Sequence, residues 1–184
     1  MKLNARQLRD LEETNSTIPK KRYPIYLILD NIYDTYNIGG LFRLSDALAI
    51  EKLFICGNSE IPPNVKIKRA SIGTYKVVPW EYKNSVIEAI EDVHENLLAK
   101  KPISRSLQIV SIEQTTKSVP YQTIPYACPI TFIVGNETSG VTKEALKVSN
   151  YVAEIPMLGV NISLNVIVSA SIVMYHAYKS LGFL

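Results

Sequence analysis

The sequence predicts an α/β domain, a mostly parallel sheet with helices on both faces. Two observations carry this. Apolar, strand-like runs alternate with helically spaced stretches along the chain. Several of those runs are apolar almost throughout rather than at every second residue, as strands covered on both faces are. The length, 184 residues, suits one well-buried core.

Residues 3 to 13 read as a helix, broken off at Thr17-Ile18-Pro19. Tyr23 to Leu29 is an apolar run ending in Asp30-Asn31, a buried strand. Ile38 to Leu48 has helical spacing at Leu41, Leu44 and Leu48. Leu53 to Cys56 is a short strand closed by Gly57-Asn58, and a loop with Pro62-Pro63 follows. Tyr75 to Val78 reads as a strand. Ser85 to Leu98 reads as a helix whose apolar side is Val86, Ile87, Ile90, Val93 and Leu97. Leu107 to Ile112 and Phe132 to Val134 are strands, residues 142 to 148 a short helix, Tyr151 to Ile155 the last strand and Leu164 to Leu181 the last helix.

Hydrophobic residues make up 47% and charged residues 20%, ordinary for a soluble domain. The two cysteines, Cys56 and Cys128, stand alone in apolar settings, which predicts reduced core thiols in a cytoplasmic protein and no zinc site. The start, MKLNARQLRD, has no apolar leader. The apolar tail from Leu158 is interrupted by Asn161, Asn165, His176 and Lys179, so it reads as a buried helix and not a membrane span. The net charge of +3 belongs wholly to residues 1–22, where Lys2, Arg6, Arg9, Lys20, Lys21 and Arg22 face Asp10, Glu12 and Glu13. The expected organisation is a basic N-terminal helical extension, 1–22, on a catalytic domain, 23–184. A basic arm on a neutral body suits a nucleic-acid partner and equally a solvated helix face.

Ligands of parallel sheets sit beyond the carboxyl ends of the strands. Three polar, glycine-containing segments follow strands here. The second, GNETSG, is close to a phosphate-binding G-x-x-x-x-G-K-[ST] loop, but Val141 stands where the lysine belongs and Glu137 adds an anion where a phosphate would lie. Triphosphate chemistry is excluded on those grounds. The dinucleotide fingerprint and the G-x-S-x-G elbow are both absent. His94 and His176 lack partners at ligand spacing, so no metal is expected. In the first segment Asn37 is a candidate helix cap, Gly39-Gly40 permit close backbone approach at a strand-to-helix turn, and Asn37 with Arg43 can reach one anionic group. In the third, Ser163 is a candidate cap of the last helix. Asn165 falls inside that helix, which is apolar or small all round, so its amide is expected to be buried and in need of partners.

Together the segments resemble the SpoU-type RNA 2′-O-ribose methyltransferases of the SPOUT superfamily, over about residues 23 to 180. The family's Asn-Gly-Arg motif is matched by Asn37, Gly39 and Arg43, its Gly-x-Glu-x-x-Gly by Gly135 to Gly140, and its Ile-Pro-Met and Ser-Leu-Asn-Val by Ile155-Pro156-Met157 and Ser163-Leu164-Asn165-Val166. Arg69 to Thr74 is similar to a further family segment. Thr35 and Ala49-Ile50 depart from the pattern, and the stretch between Met157 and Ser163 lacks the basic residue relatives often carry there.

The resemblance implies a C-terminal deep trefoil knot, a homodimer whose active site draws on both subunits, and an S-adenosylmethionine pocket lined by Ile112, Gly135, Ile155, Met157, Ser163 and Leu164. It implies methyl transfer to a ribose 2′-hydroxyl of RNA. The expected substrate is tRNA, with rRNA the alternative. Arg43 is expected to hold the phosphate beside the reacting ribose and to stabilise the developing alkoxide, since a guanidinium is a poor base. Asn37, Glu137, Ser163 and Asn165 are expected to orient it. Lys66 to Arg69 is a candidate RNA-binding patch. A non-catalytic RNA-binding protein on the same fold is the alternative.

Overall fold

Strands that are apolar at every position are stable only where both faces are covered, and that is where they lie. A computed structural model describes residues 2–11, 21–100 and 106–184. Its strands are β1 (Tyr23–Asp30), β2 (Ile50–Cys56), β3 (Trp80–Lys83), β4 (Gln108–Ile112), β5 (Val119–Pro120), β6 (Ile130–Gly135) and β7 (Tyr151–Glu154). They form one sheet in the order β3-β2-β1-β6-β4-β7-β5, each neighbouring pair parallel. The helices are α1 (Ala5–Asp10), α2 (Thr35–Ala47), α3 (Val65–Ser71), α4 (Val86–Lys100), α5 (Lys143–Val148) and α6 (Val166–Ser180).

Alternate residues of the central strands feed two cores. Ile25, Leu27 and Leu29 of β1, with Ile130, Phe132 and Val134 of β6, join Leu41 of α2, Ile67 of α3 and Val173 of α6. Tyr26 and Ile28 of β1 and Ile133 of β6 join Val86, Ile90 and Val93 of α4 and Ala145 of α5 on the opposite face. The expected two-sided parallel sheet is therefore present. The chain builds outward from β1 to β3, then crosses to β4, and β6 later enters between β1 and β4. Such a reversal opens a crevice at the carboxyl ends of the strands.

Several expected elements differ. Tyr75 to Val78 is no strand: Gly73, at φ 90°, starts a 3-10 turn over Thr74–Lys76, and the Val78 amide bonds the Thr74 carbonyl at 3.0 Å. The strand paired with β2 is Trp80–Lys83, whose Glu81 and Lys83 are tolerated because it is an edge. The loop after Pro62-Pro63 contains α3, which is short and buries only Ile67 and Ser71, too little for a periodic signal. The two-residue β5 has no signal at all. Of the expected helix 3–13, Ala5–Asp10 is helical, with an Asn4/Gln7 capping box; residues 12 and 13 and the break at 17–19 lie outside the described residues.

α6 is not buried all round. Ala170, Val173, Met174, Ala177 and Tyr178 are buried, but Val168 and Tyr175 are each 44% exposed. Among the described residues no helix is long and apolar enough to cross a membrane, and no group of His, Cys, Asp or Glu is placed to hold a metal ion. Neither cysteine is in a disulfide; Cys56 is buried and Cys128 half-buried.

Candidate active site

The site is built from the segments that follow β1, β4, β6 and β7. After β1, Asp34 caps α2, its carboxylate accepting the Tyr36 amide at 2.8 Å. Asn37 is thus not the cap. It lies in the first turn of α2, 5% exposed, and its side chain is used elsewhere. Gly39 and Gly40 also lie within α2 and not at a turn before it. A Cβ on Gly39 would overlap Ala70 of α3, and one on Gly40 would overlap Ile167 of α6. The two glycines let α2 press against both neighbours.

After β6 the chain turns back sharply. Asn136 and Gly140 exchange backbone hydrogen bonds of 3.1 and 2.9 Å, and the Asn136 side chain accepts from the amides of Thr138 (2.8 Å) and Ser139 (3.0 Å). Gly140 sits at φ 70°, where a side chain is strained. A Cβ on Gly135 would collide with the backbone of Gly140 and Val141. The glycines therefore serve the turn itself.

Asn165, expected inside α6, is its cap: the side-chain oxygen accepts the Ile167 amide at 2.9 Å. Ser163 is not the cap, and Asn165 is exposed. The Asn165 side-chain amide donates to Asn37 Oδ1 at 2.9 Å, and the Asn37 amide donates to Glu137 Oε1 at 2.8 Å. One hydrogen-bonded chain, Asn165–Asn37–Glu137, ties the three segments together. Glu137 accepts from Asn37 and not from the backbone of the third segment.

These loops enclose a cavity of about 630 Å³, within the usual range for a small-molecule site. Ile112, Gly135, Ile155, Met157, Ser163 and Leu164 all line it, as do Glu137 and Asn165. Among the described residues its charged ones are Glu113, Glu137 and Glu154, and no described lysine, arginine or histidine lines it. Such a site repels phosphate and favours a cation. Arg43 is not part of this lining. It is exposed on α2 and makes no hydrogen bond or ion pair among the described residues. At about 100° per residue it lies on the strip of α2 between the sides that meet α3 and α6.

Three residues that sequence reasoning missed hold the cavity in shape. Asp30, 1% exposed at the end of β1, accepts the Thr142 amide (2.8 Å) and the Asn31 side chain (2.8 Å). Glu113, just after β4, accepts the Val141 amide at 2.9 Å. The Asn136 side chain donates to the Asn31 carbonyl at 2.8 Å. The available signal was position, a polar residue at or just past the end of each central strand.

Fold and site define a parallel α/β domain with a preformed, acidic ligand cavity at its topological switch point. A family model described as the SpoU rRNA Methylase family matches residues 24–175, and the chain belongs to that family. It is 27% identical over 169 residues to the tRNA (guanosine(18)-2′-O)-methyltransferase of Aquifex aeolicus (strain VF5), covering 92% of this chain and 75% of that protein. The AdoMet-bound rRNA methyltransferase from Sinorhizobium meliloti is similar at a TM-score of 0.74 and 25% identity, over 95% of this chain and 60% of that one. The SpoU methyltransferase AviRb from Streptomyces viridochromogenes gives 0.76 and 25%, over 88% and 61%. The chain spans 60% and 59% of the length of its relatives in Bacillus subtilis and Staphylococcus saprophyticus.

Proposed function

We propose that this protein transfers a methyl group from S-adenosylmethionine to a ribose 2′-hydroxyl of RNA, with tRNA as the substrate. The observation that carries the reading is the acidic cavity pinned by Asn165–Asn37–Glu137. S-adenosylmethionine bears a sulfonium and an ammonium against one carboxylate, and a cavity with three glutamates and, among the described residues, no basic side chain suits that charge. Ile112, Gly135, Ile155, Met157, Ser163 and Leu164 would hold it. When bound, it supplies a methyl group already activated by positive charge.

What remains for the chain is positioning and charge stabilisation. Arg43 holds the phosphate next to the reacting ribose and stabilises negative charge growing on the 2′-oxygen. Asn37, Glu137 and Asn165 fix the three loops against one another, and Ser163 orients the ribose at the cavity rim.

The enzyme works as a homodimer in which Arg43 of one protomer serves the cavity of the other. Two features support this. Arg43 is exposed and outside the cavity lining of its own chain. Around that cavity Leu158, Val160 and Ile162 are 98%, 102% and 77% exposed, and Val168 and Tyr175 of α6 are exposed as well; large apolar side chains left in water mark protein–protein surfaces. The chain end is threaded as a deep trefoil knot, a reading supported by β6 lying between β1 and β4 and by α6 returning to pack on α2. Residues 1–22 form an extension to a domain spanning 23–184, and the RNA substrate puts the protein in the cytoplasm.

The test is methyl transfer from radiolabelled S-adenosylmethionine to bulk tRNA and rRNA, followed by mapping of alkali-resistant linkages. Label at a 2′-oxygen of tRNA supports the reading. Absence of transfer to either RNA, by protein that binds the donor, leaves a non-catalytic RNA-binding role.

A further inference from the structure

A second concave surface lies where α2 meets α3. It is an open groove of about 680 Å³ between the loop that leads into α2 and the start of α3, lined by Tyr33, Tyr36, Glu60, Asn64, Val65 and Lys66 among others. Tyr33 is 57% exposed and Tyr36 54%. Neither ring stacks on another among the described residues, so both offer free π-faces. The two edges of the groove are held by short local structure: Asp34 caps α2 through the Tyr36 amide, and Asn64 caps α3 through the Lys66 amide at 2.9 Å.

Tyr36 and Arg43 are seven residues apart on one helix. At 3.6 residues per turn they point within about 20° of each other, about 10 Å apart along the axis. A strand that places a phosphate at Arg43 therefore runs past Tyr36 within neighbouring nucleotides. Lys66, Lys68 and Arg69 are exposed on α3 alongside, and the close contact at Gly39 and Ala70 brings α3 against α2. The carboxylates in the groove are Asp34, already committed to the cap, and Glu60, which accepts the Asn64 side chain at 3.5 Å. They bar a phosphate from the groove itself and suit the N–H groups on a base edge. Flanking cations with aromatic faces between them are the pattern of single-stranded nucleic-acid sites.

We propose that this groove is a base-stacking subsite: Tyr33 and Tyr36 hold the base of an unpaired RNA nucleotide adjacent to the methylated one, with Lys66 and Arg43 on the flanking phosphates. The proposal rests on the RNA reading above and narrows it to targets in single-stranded loops. Duplex RNA keeps its bases stacked and has none to offer.

The test is fluorescence anisotropy of the full chain with labelled single-stranded RNA of about 12 nucleotides and a duplex of equal length. The double variant Tyr33→Ala, Tyr36→Ala weakens single-strand binding about tenfold and leaves duplex binding and the salt slope unchanged. Tyr33→Phe, Tyr36→Phe restores the affinity, because the ring and not the hydroxyl stacks. Lys66→Ala lowers the salt slope by about 0.7. The proposal is overturned by wild-type affinity in the double alanine variant, by equal losses on single strand and duplex, by a phenylalanine variant as weak as the alanine one, or by a wild-type chain that binds neither RNA. Calorimetry with S-adenosylmethionine on the same samples separates the two readings. Its failure sinks the methyltransferase reading while the stacking result still stands or falls alone, and the tyrosine variants keep wild-type donor binding.

Discussion

The two sides of the site are held in opposite ways. On the cavity side the polar groups that shape the loops are spoken for: Asn165, Asn37 and Glu137 bind one another, Glu113 and Asp30 take backbone amides, and Asn136 closes its own turn. On the α2–α3 edge Arg43, Tyr33, Tyr36 and Lys66 stand exposed, with no side-chain hydrogen bond or ion pair among the described residues. A small donor of fixed shape is served by a pocket preorganised within one chain. On the function proposed above, a long, flexible RNA would be met by side chains whose order comes from the substrate and from a second subunit.

That contrast breaks most sharply at Arg43. Arg43→Ala is expected to lower methyl transfer about 100- to 1000-fold while its donor affinity in calorimetry stays at the wild-type value. The next largest effect is expected on the outer side of α6. Val168→Glu puts a charge on the apolar surface, and light scattering should show one chain where the wild type shows two, with transfer lost and the fold intact by circular dichroism.

Asn37→Ala strikes the other side. It leaves Asn165 and Glu137 without the partner each has in the native chain. It should cost about 1–3 kcal/mol in denaturant unfolding and weaken donor binding about tenfold. The smallest effect concerns neither side but the sheet beneath. Burial pushes the Cys56 thiol up to about 12, from an ordinary value of 9.0. A raised thiol value means the folded chain keeps its proton where the unfolded chain loses it, so Cys56 removes stability only as pH climbs above about 9. At pH 8 iodoacetamide should leave Cys56 unmodified in the folded protein and label it in denaturant, as read by peptide mass mapping.

Most of the fold was legible because burial writes itself into sequence. The runs of β1 and β6 are apolar on both faces, and α4 shows its single apolar side. The failures share a cause. β3 sits at an edge and carries Glu81 and Lys83, α3 buries two residues, and β5 is two residues long, so none had enough buried surface to impose a period. The family was legible from the three segments, and the residues expected at the donor pocket do line one cavity. The segments' hydrogen bonding was not legible. Asn165 read as a buried amide because α6 is apolar on both sides, yet one of those sides faces solvent in the single chain. Asp30 and Glu113 offered only a positional signal, because the loop amides they hold lie far along the chain: Thr142 and Val141 are 112 and 28 residues away.

The central claim is that the cavity after β4, β6 and β7 takes a cationic methyl donor and not a phosphate-bearing nucleotide. Isothermal titration of the wild-type chain with S-adenosylmethionine and, separately, with ATP tests it most directly. The account predicts saturable binding of S-adenosylmethionine, weakened in Asn37→Ala and unchanged in Arg43→Ala, with no heat from ATP. Saturable binding of ATP with none of S-adenosylmethionine would contradict it.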